Sequence, residues 1–243
     1  MINELIFFGL GLIFGSFANV CIYRLPINKS VIGPRSKCIN CKKLISWNFN
    51  IPVLSYLILK GISKCCKKKI SIQYPVVELS TGILFMVSSV YFSLFQSILL
   101  SFIIFFIVIT IAIDLNKQII FTFFTYIIFL TGLLVQYFQP DLNPFSVTLK
   151  NSLVTTVIAA SLFIGLRYIF KTIKGVEALG LGDIYLISSL AIWTGFEKFL
   201  YMLIGSSIIG IIFYLIFNTK RNKNFRIPYG SFIGVAFLIL LFV

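Results

Sequence analysis

The chain consists of long apolar runs separated by short polar breaks, and this pattern continues from one end to the other. Each run approaches the ~20 residues that a helix needs to cross the hydrocarbon core of a bilayer. Hydropathy therefore predicts eight transmembrane helices, at about residues 5–23, 76–94, 96–113, 118–138, 151–170, 182–196, 199–218 and 228–243. We expect an all-α, polytopic membrane protein with a cysteine-containing loop between its first and second helices.

Composition favours a membrane protein over a soluble one. Hydrophobic residues make up 59% of the 243 residues and charged residues only 12%, which leaves too little polar surface to cover a soluble core of this size. The first run carries Glu4 instead of a basic leader and ends at Tyr23-Arg24 without a small-residue cleavage site. We therefore expect a retained helix there and not a cleaved signal peptide.

The basic residues predict the orientation in the membrane. The net charge is +14, but the lysines and arginines gather in the connecting loops, which favours retention on the cytoplasmic side over binding to nucleic acid. An amino terminus outside places all 21 of them inside except Lys150 and Lys198. We therefore predict a multi-pass protein of the cytoplasmic (inner) membrane whose loop 24–75 faces the cytoplasm. The lysines at 67–69 either contact anionic headgroups of membrane lipid or simply serve this retention.

Two aspartates lie at the cytoplasmic ends of predicted helices. Asp114 closes the third helix and Asp183 opens the sixth, so both lie at the same membrane depth. If packing brings their carboxylates together, the two groups cannot both ionise at low cost and share one proton. One can then act as a base on water and the other as an acid, which is the chemistry of aspartic peptidases. The chain has no histidine, which excludes serine–histidine and cysteine–histidine catalysis and histidine-ligated metallopeptidases.

A purely structural interpretation of the aspartates is also open. Each can cap a helix N-terminus and accept hydrogen bonds from free N–H groups. Gly180 and Gly182 precede Asp183. They can let the backbone approach a substrate, or they can be loop or helix-packing glycines.

Four of the five cysteines lie in the basic loop. Cys38 and Cys41 form a C-x-x-C pair, and Cys65 and Cys66 follow. Four thiolates predict a structural zinc site that would fold a loop with little core of its own. The second pair does not repeat the first spacing, and Ser63 stands where a cysteine would complete it. The alternative is a group of reduced thiols on a lysine-rich surface.

Glu78 lies where the loop returns to the membrane, after Tyr74-Pro75. It is either an acid of a first helical turn, favoured by the helix dipole, or a ligand for a cationic group. Cys21, within the first predicted helix, is better explained by packing than by metal binding.

Seven segments, taken in order, resemble the type IV prepilin peptidase family, also called bifunctional leader peptidase and methyltransferase. They are GSFANVCIYRLP (15–26), PRSKC (34–38), NIPVLSY (50–56), ISIQYPVVEL (70–79), TG (81–82), ID (113–114) and EALGLGD (177–183). Each segment is weak evidence alone. Their shared order over nearly the whole chain is the specific feature.

The resemblance implies a membrane aspartic endopeptidase of the GxGD type. Its catalytic pair would be Asp114 and Asp183, with Gly180, Gly182 and Glu177 as supporting residues of the second motif. Its substrates would be the short basic leader peptides of type IV prepilins and pseudopilins, cut at the cytoplasmic face. Pili, secretion and competence systems all present such leaders, and the sequence does not choose among them.

The resemblance also implies methylation of the new amino terminus with S-adenosylmethionine. Loop 24–75 and Glu78 are the candidate region for methyl transfer, and the four loop cysteines are the candidate zinc ligands. We therefore divide the chain into residues 1–94, a methyltransferase region, and residues 95–243, a six-helix peptidase domain. Three positions depart from the family pattern: Ser63 for a cysteine, Tyr185 for a lysine, and Phe121-Thr122 for a Pro-Asp pair.

Two hypotheses without peptidase activity use the same residues. A small proton-coupled transporter would place acids near the middle of the membrane or show inverted repeats, and the sequence shows neither. A non-catalytic membrane scaffold would bind a partner through the cysteine loop and leave the aspartates as helix caps.

Overall fold

The computed structural model describes residues 2–175, 179–217 and 227–243. Within these ranges the regular secondary structure is helical, and the only β contacts are isolated bridges. The helices are α1 (Ile2–Arg24), α2 (Leu54–Ile58), α3 (Gln73–Tyr91), α4 (Leu94–Lys117), α5 (Thr122–Phe138), α6 (Leu149–Lys174), α7 (Leu181–Phe217) and α8 (Tyr229–Leu240). The prediction of an all-α fold is confirmed for the described residues.

Five of these helices are long and apolar enough to cross a membrane, namely α1, α3, α4, α6 and α7. The apolar helices α5 and α8 are shorter, with 17 and 12 residues. The predicted number of eight spans is therefore not confirmed. The fourth and eighth predicted spans correspond to these two shorter helices, and the sixth and seventh lie in the single element α7.

The backbone of α7 leaves the helical conformation at Gly195, where φ is 62° and ψ is 179°. Glycine adopts such a positive φ at little cost. The next N–H, that of Phe196, donates to Oδ1 of Asn151 at 3.3 Å, so a side chain of α6 satisfies a group that the interruption exposes. The 37-residue element thus consists of two helical stretches that meet one residue before the predicted end of the sixth span.

The chain forms two compact units, Met1–Ile109 and Thr110–Val243, with the boundary inside α4. In the first unit, α1 packs along α3. A Cβ on Gly11 would lie 2.7 Å from the Cα of Gly82, and a Cβ on Gly15 would lie 2.7 Å from the Cα of Glu78. Small residues therefore let the two backbones approach closely, as in other membrane helix pairs.

In the second unit, α7 packs against α5, α6 and α8. The indole N–H of the fully buried Trp193 donates to the carbonyl of Ile128 on α5 at 2.9 Å. The carbonyl of Trp193 accepts from the amide of Asn143 at 3.1 Å. Water does not reach polar groups in a core that lipid surrounds, so bonds of this kind satisfy them instead.

We expect Gly15→Ala to destabilise the first unit, because the added Cβ would press on the Cα of Glu78 and push α1 away from α3. Overpacking of this kind costs about 1–3 kcal/mol. Thermal unfolding of the purified protein in detergent measures the effect. Gly9→Ala on the same helix is the matched control, since nothing lies within 4 Å of a Cβ there. Equal unfolding midpoints for the two variants would contradict the close packing of α1 on α3.

Candidate active site and cysteine cluster

Asp114 lies in the last turn of α4 and is buried, with 4% of its surface exposed. Its Oδ2 accepts two hydrogen bonds from Ser231, one from the backbone N–H at 2.6 Å and one from the hydroxyl at 2.8 Å. Ser231 belongs to the first turn of α8. Asp114 therefore does act as a cap, but for another helix, whose positive dipole end faces the carboxylate.

Asp183 lies in the first turn of α7. Its Oδ2 accepts the N–H of Gly180 at 3.2 Å, which is how an acid in a first turn bonds back to the N-cap backbone. The N–H of Gly230 also donates to this carboxylate. The capping interpretation thus applies to both aspartates, but it does not account for their meeting at α8.

The structure brings the two carboxylates together around Gly230. A Cβ on Gly230 would lie 3.1 Å from Oδ1 of Asp183 and 3.2 Å from Oδ2 of Asp114, and it would also collide with Ile120. A side chain at this position would press on both carboxylates and would require Ile120 to move. We call Asp114, Asp183, Gly230 and Ser231 the aspartate site.

Sequence reasoning alone does not identify Gly230 and Ser231. Their signal is the segment Pro228-Tyr229-Gly230-Ser231, which begins a helix at the same predicted membrane depth as the aspartates. Helix N-termini bind anions through free N–H groups. No local pattern, however, reveals which helix the aspartates reach.

The two motif glycines make tight contacts within the protein. Gly180 donates its N–H to Asp183, and a Cβ there would lie 2.9 Å from Oδ2 of that aspartate. A Cβ on Gly182 would lie 2.8 Å from the Cβ of Ile120. The contact of Gly180 is local, as expected of a loop glycine, and the contact of Gly182 is a packing contact.

Leu179, which precedes Gly180, is tied to α6, because the guanidinium of Arg167 donates to its carbonyl. Glu177 lies outside the described residues. Tyr185, one of the departures from the family pattern, is exposed, with its ring 6.3 Å from that of Tyr126 on α5.

The four loop cysteines come together in the first unit. Their Sγ atoms all lie within 4.8 Å of one another, with 3.7 Å between Cys38 and Cys66 and 3.1 Å between Cys41 and Cys65. Zinc–sulfur bonds of about 2.3 Å in a tetrahedron place sulfurs about 3.8 Å apart, so the donor set fits such an ion after a small adjustment. The cluster can therefore hold a metal. Cys21 is buried in α1 and is not part of it.

Two similar backbone turns present these cysteines. In the first turn the N–H of Cys38 donates to the carbonyl of Lys43 at 2.9 Å. In the second turn the N–H of Ser63 donates to the carbonyl of Lys68 at 2.8 Å. Ser63 thus occupies the place in the second turn that Cys38 occupies in the first. Cys65 supplies the fourth sulfur of the cluster, and this sulfur lies 3.1 Å from the Ser63 hydroxyl.

The thiols of the cluster differ in acidity. Burial raises the pKa of Cys38, but hydrogen bonds from the backbone of Cys41, the Ser63 hydroxyl and the backbone of Asn40 stabilise its thiolate and lower the pKa to about 6. Cys41 shares a hydrogen bond with Cys65, which raises its pKa to about 11. At neutral pH Cys38 is therefore already largely a thiolate, which is the form that ligates metals.

Glu78 is buried in α3, with 7% of its surface exposed. Its Oε2 accepts the N–H of Val53 at 2.7 Å, and the hydroxyl of Ser16 also donates to the carboxylate. These bonds link α1, α3 and the loop between them, and they do not go to the first turn of α3. No lysine or arginine in the described ranges pairs with Glu78.

A cavity of about 1140 Å³ lies beside Glu78 within the first unit. Residues of α1, α3 and the cysteine loop line it, among them Asn19, Ser55 and Tyr74. Its volume is slightly above the about 300–1,000 Å³ typical of small-molecule sites, so it can hold a cofactor together with part of a second molecule.

Two family models match the chain. The bacterial peptidase A24 N-terminal domain matches residues 10–92, which include the cysteine cluster and Glu78, and the type IV leader peptidase family matches residues 99–215, which include both aspartates. The α8 residues of the aspartate site lie beyond the matched ranges.

Several curated proteins are similar over most of their length. A type 4 prepilin-like proteins leader peptide-processing enzyme of Escherichia coli O78:H11 is 30% identical over 96% of this chain and 91% of its own. Prepilin leader peptidase/N-methyltransferases of Klebsiella pneumoniae and Vibrio cholerae serotype O1 are 34% and 32% identical, over 77% and 95% of this chain and 83% and 93% of theirs. No solved structure matches the chain. The chain belongs to the type IV leader peptidase family.

Proposed function

We propose that this chain is a membrane-embedded aspartic endopeptidase that removes the basic leader of type IV prepilins or pseudopilins. The observation that carries the proposal is the aspartate site, where Asp114 and Asp183 approach a common point at Gly230. The family, and the names of relatives as prepilin leader peptidases, support the substrate class.

The site suits attack by water on a peptide bond. Two close carboxylates hold one proton between them. The ionised group takes a proton from water as the water oxygen attacks the scissile carbonyl carbon, and the protonated group gives its proton to the carbonyl oxygen. The intermediate then collapses: one of its hydroxyls gives its proton to the ionised carboxylate, the C–N bond breaks, and the leaving amine takes the proton of the other carboxyl. The pair again holds one proton. Gly230 and Ser231 hold the carboxylates throughout, so the reaction requires little reorganisation.

We place the site at the cytoplasmic face of the inner membrane, with the amino terminus outside. The apolar helices and the family support an inner-membrane location, and the lysine and arginine distribution supports the orientation. The basic residues at 220–226 that contribute to this distribution lie outside the described residues. A basic leader would meet the acidic site while the apolar stem of the prepilin stays in lipid.

We also propose that the chain methylates the new amino terminus with S-adenosylmethionine, which supplies a methyl group bound to a positively charged sulfur. The names of the relatives as N-methyltransferases support this activity. The cavity beside Glu78 is large enough to bring a methyl donor and a pilin amine into one space. This assigns methyl transfer to residues 1–94 and peptide cleavage to residues 95–243.

We propose zinc as the metal of the cysteine cluster, in a structural role. Four thiolates at these separations suit a closed tetrahedral site, and such sites stabilise folds with little core. The loop that carries the cluster contains only short helical elements, α2 and two 3₁₀ turns, Leu25–Ile27 and Trp47–Phe49.

No specific observation favours a transporter or a scaffold. Asp114 and Asp183 lie in the last turn of α4 and the first turn of α7. Acids at helix ends suit chemistry at the membrane boundary better than a midplane ion site.

We expect Asp114→Asn and Asp183→Asn each to slow leader cleavage by about 10²–10⁴-fold, because each removes a group that must accept or donate a proton. Co-expression with a candidate prepilin, followed by separation of precursor and mature pilin, measures the loss. Asp141→Asn, in the 3₁₀ turn Pro140–Leu142 after α5, is the control and should cleave normally. The peptidase assignment is wrong if both single variants process the prepilin at the wild-type rate.

Mature pilin released by the wild-type enzyme should carry one methyl group on its amino terminus. Mass spectrometry of the terminal peptide, with and without S-adenosylmethionine, reads this directly. Cleaved pilin with an unmodified terminus in the presence of the donor would remove the methyltransferase half of the proposal and leave the peptidase half intact.

We expect Cys65→Ser to lower the zinc content of the purified protein from about one ion per chain. Adding Ser63→Cys to that variant should restore it, because position 63 holds the place in the second turn that Cys38 holds in the first. Elemental analysis measures both, with Cys21→Ala as a control outside the cluster. Full zinc content in Cys65→Ser would show that Cys65 is not the fourth ligand.

A further inference from the structure

Two residues that line the cavity of the first unit each carry a buried polar atom without a hydrogen-bond partner in the described protein. Oδ1 of Asn19 and Oγ of Ser55 are buried without a partner, and both residues line the cavity. Glu78 lines the same cavity with a buried carboxylate that no lysine or arginine of the described ranges neutralises. Buried groups of this kind are costly unless something donates to them, so they indicate a ligand.

The three residues belong to one region of the cavity. Ser16, which donates to Glu78, lies one helical turn before Asn19 on α1. Val53, whose N–H donates to Glu78, lies two residues before Ser55. We call Asn19, Ser55 and Glu78 the acceptor wall.

The charges of the cavity indicate the chemistry of the ligand. The acceptor wall suits a cation with several N–H donors. Five basic residues line the same cavity, namely Arg24, Lys29, Lys37, Lys42 and Lys69. Arg24 and Lys42 donate to backbone carbonyls, and the other three lysines suit a carboxylate. A free α-amino acid carries both an ammonium group and a carboxylate, whereas the amino terminus of a peptide carries only the ammonium group.

We infer that the acceptor wall binds the α-ammonium group of S-adenosylmethionine. This group has three N–H donors, and the acceptor wall has three acceptor residues. The inference rests on the proposed methyl transfer and adds the residues that hold the donor. In the transfer, the pilin amine nitrogen forms a bond to the methyl carbon. The carbon–sulfur bond breaks with its electron pair kept on sulfur, S-adenosylhomocysteine leaves, and the methylated amine releases a proton to water.

Equilibrium dialysis of tritiated S-adenosylmethionine against the full chain in detergent tests the inference. Glu78→Gln keeps an acceptor for Val53 but loses the charge, and we expect binding to weaken about tenfold or more. Ser55→Ala should weaken binding several-fold. Because the Ser55 hydroxyl has no protein partner, this variant should unfold at the wild-type temperature. Ser89→Ala on α3, whose hydroxyl donates to the carbonyl of Met86, is the matched control and should bind normally.

Two further ligands separate the ammonium group from the rest of the donor. S-adenosylhomocysteine keeps the α-amino group, and its deaminated analogue lacks it. Glu78→Gln and Ser55→Ala should weaken the binding of S-adenosylhomocysteine and leave the binding of the deaminated analogue unchanged. Equal weakening of both ligands would overturn the assignment to the ammonium group.

The remaining outcomes are also decisive. If the wild type and both variants bind the donor equally well, the donor site lies elsewhere, and the inference fails while methyl transfer stands. If the wild type binds no donor and produces no methylated pilin, the proposed methyl transfer fails and the inference with it. If the variants bind the donor normally but lose binding of a pilin peptide with a free amine, or of phosphatidylethanolamine, the acceptor wall holds that ligand instead and the inference is wrong.

Discussion

The carboxylate of Asp114 takes two hydrogen bonds from Ser231, at 2.6 and 2.8 Å, and the arrangement of the second unit depends on them. A buried carboxylate needs donors, while the last turn of a helix presents carbonyls and no free N–H groups. The first turn of α8 has free N–H groups, so α8 begins against the end of α4. Because Gly230 also donates to Asp183, the start of α7 meets the same turn. One demand for donors thus brings three helix ends and two acids together.

The first unit meets a different constraint, because it carries a loop with little apolar core. Gly11 and Gly15 let α1 and α3 approach closely, and Glu78 ties both helices to Val53 of the loop. The cysteine cluster holds a further part of that loop. Between these fixed parts lies a cavity whose unsatisfied acceptors and nearby lysines suit a zwitterionic ligand.

Hydropathy predicted where the apolar helices lie, because lipid imposes that pattern locally. The predicted number of eight spans is not confirmed, since the backbone at Gly195 and the short α5 and α8 depend on tertiary contacts. Asp114 and Asp183 could be named from their place at helix ends, but Ser231 could not. Its bond to Asp114 joins residues 117 apart. The irregular second cysteine pair likewise makes sense only once the backbone places Ser63 where Cys38 lies in the first turn.

Whether α8 holds Asp114 ready to act with Asp183 is tested most directly by single-turnover cleavage of a prepilin with Ser231→Ala. The variant loses the hydroxyl bond and keeps the N–H bond. We predict a cleavage rate about 10–100-fold lower, with unchanged prepilin binding. Ser189→Ala, whose buried hydroxyl donates to Leu186 within α7, should cleave at the wild-type rate. A wild-type rate for Ser231→Ala would contradict the role given to α8.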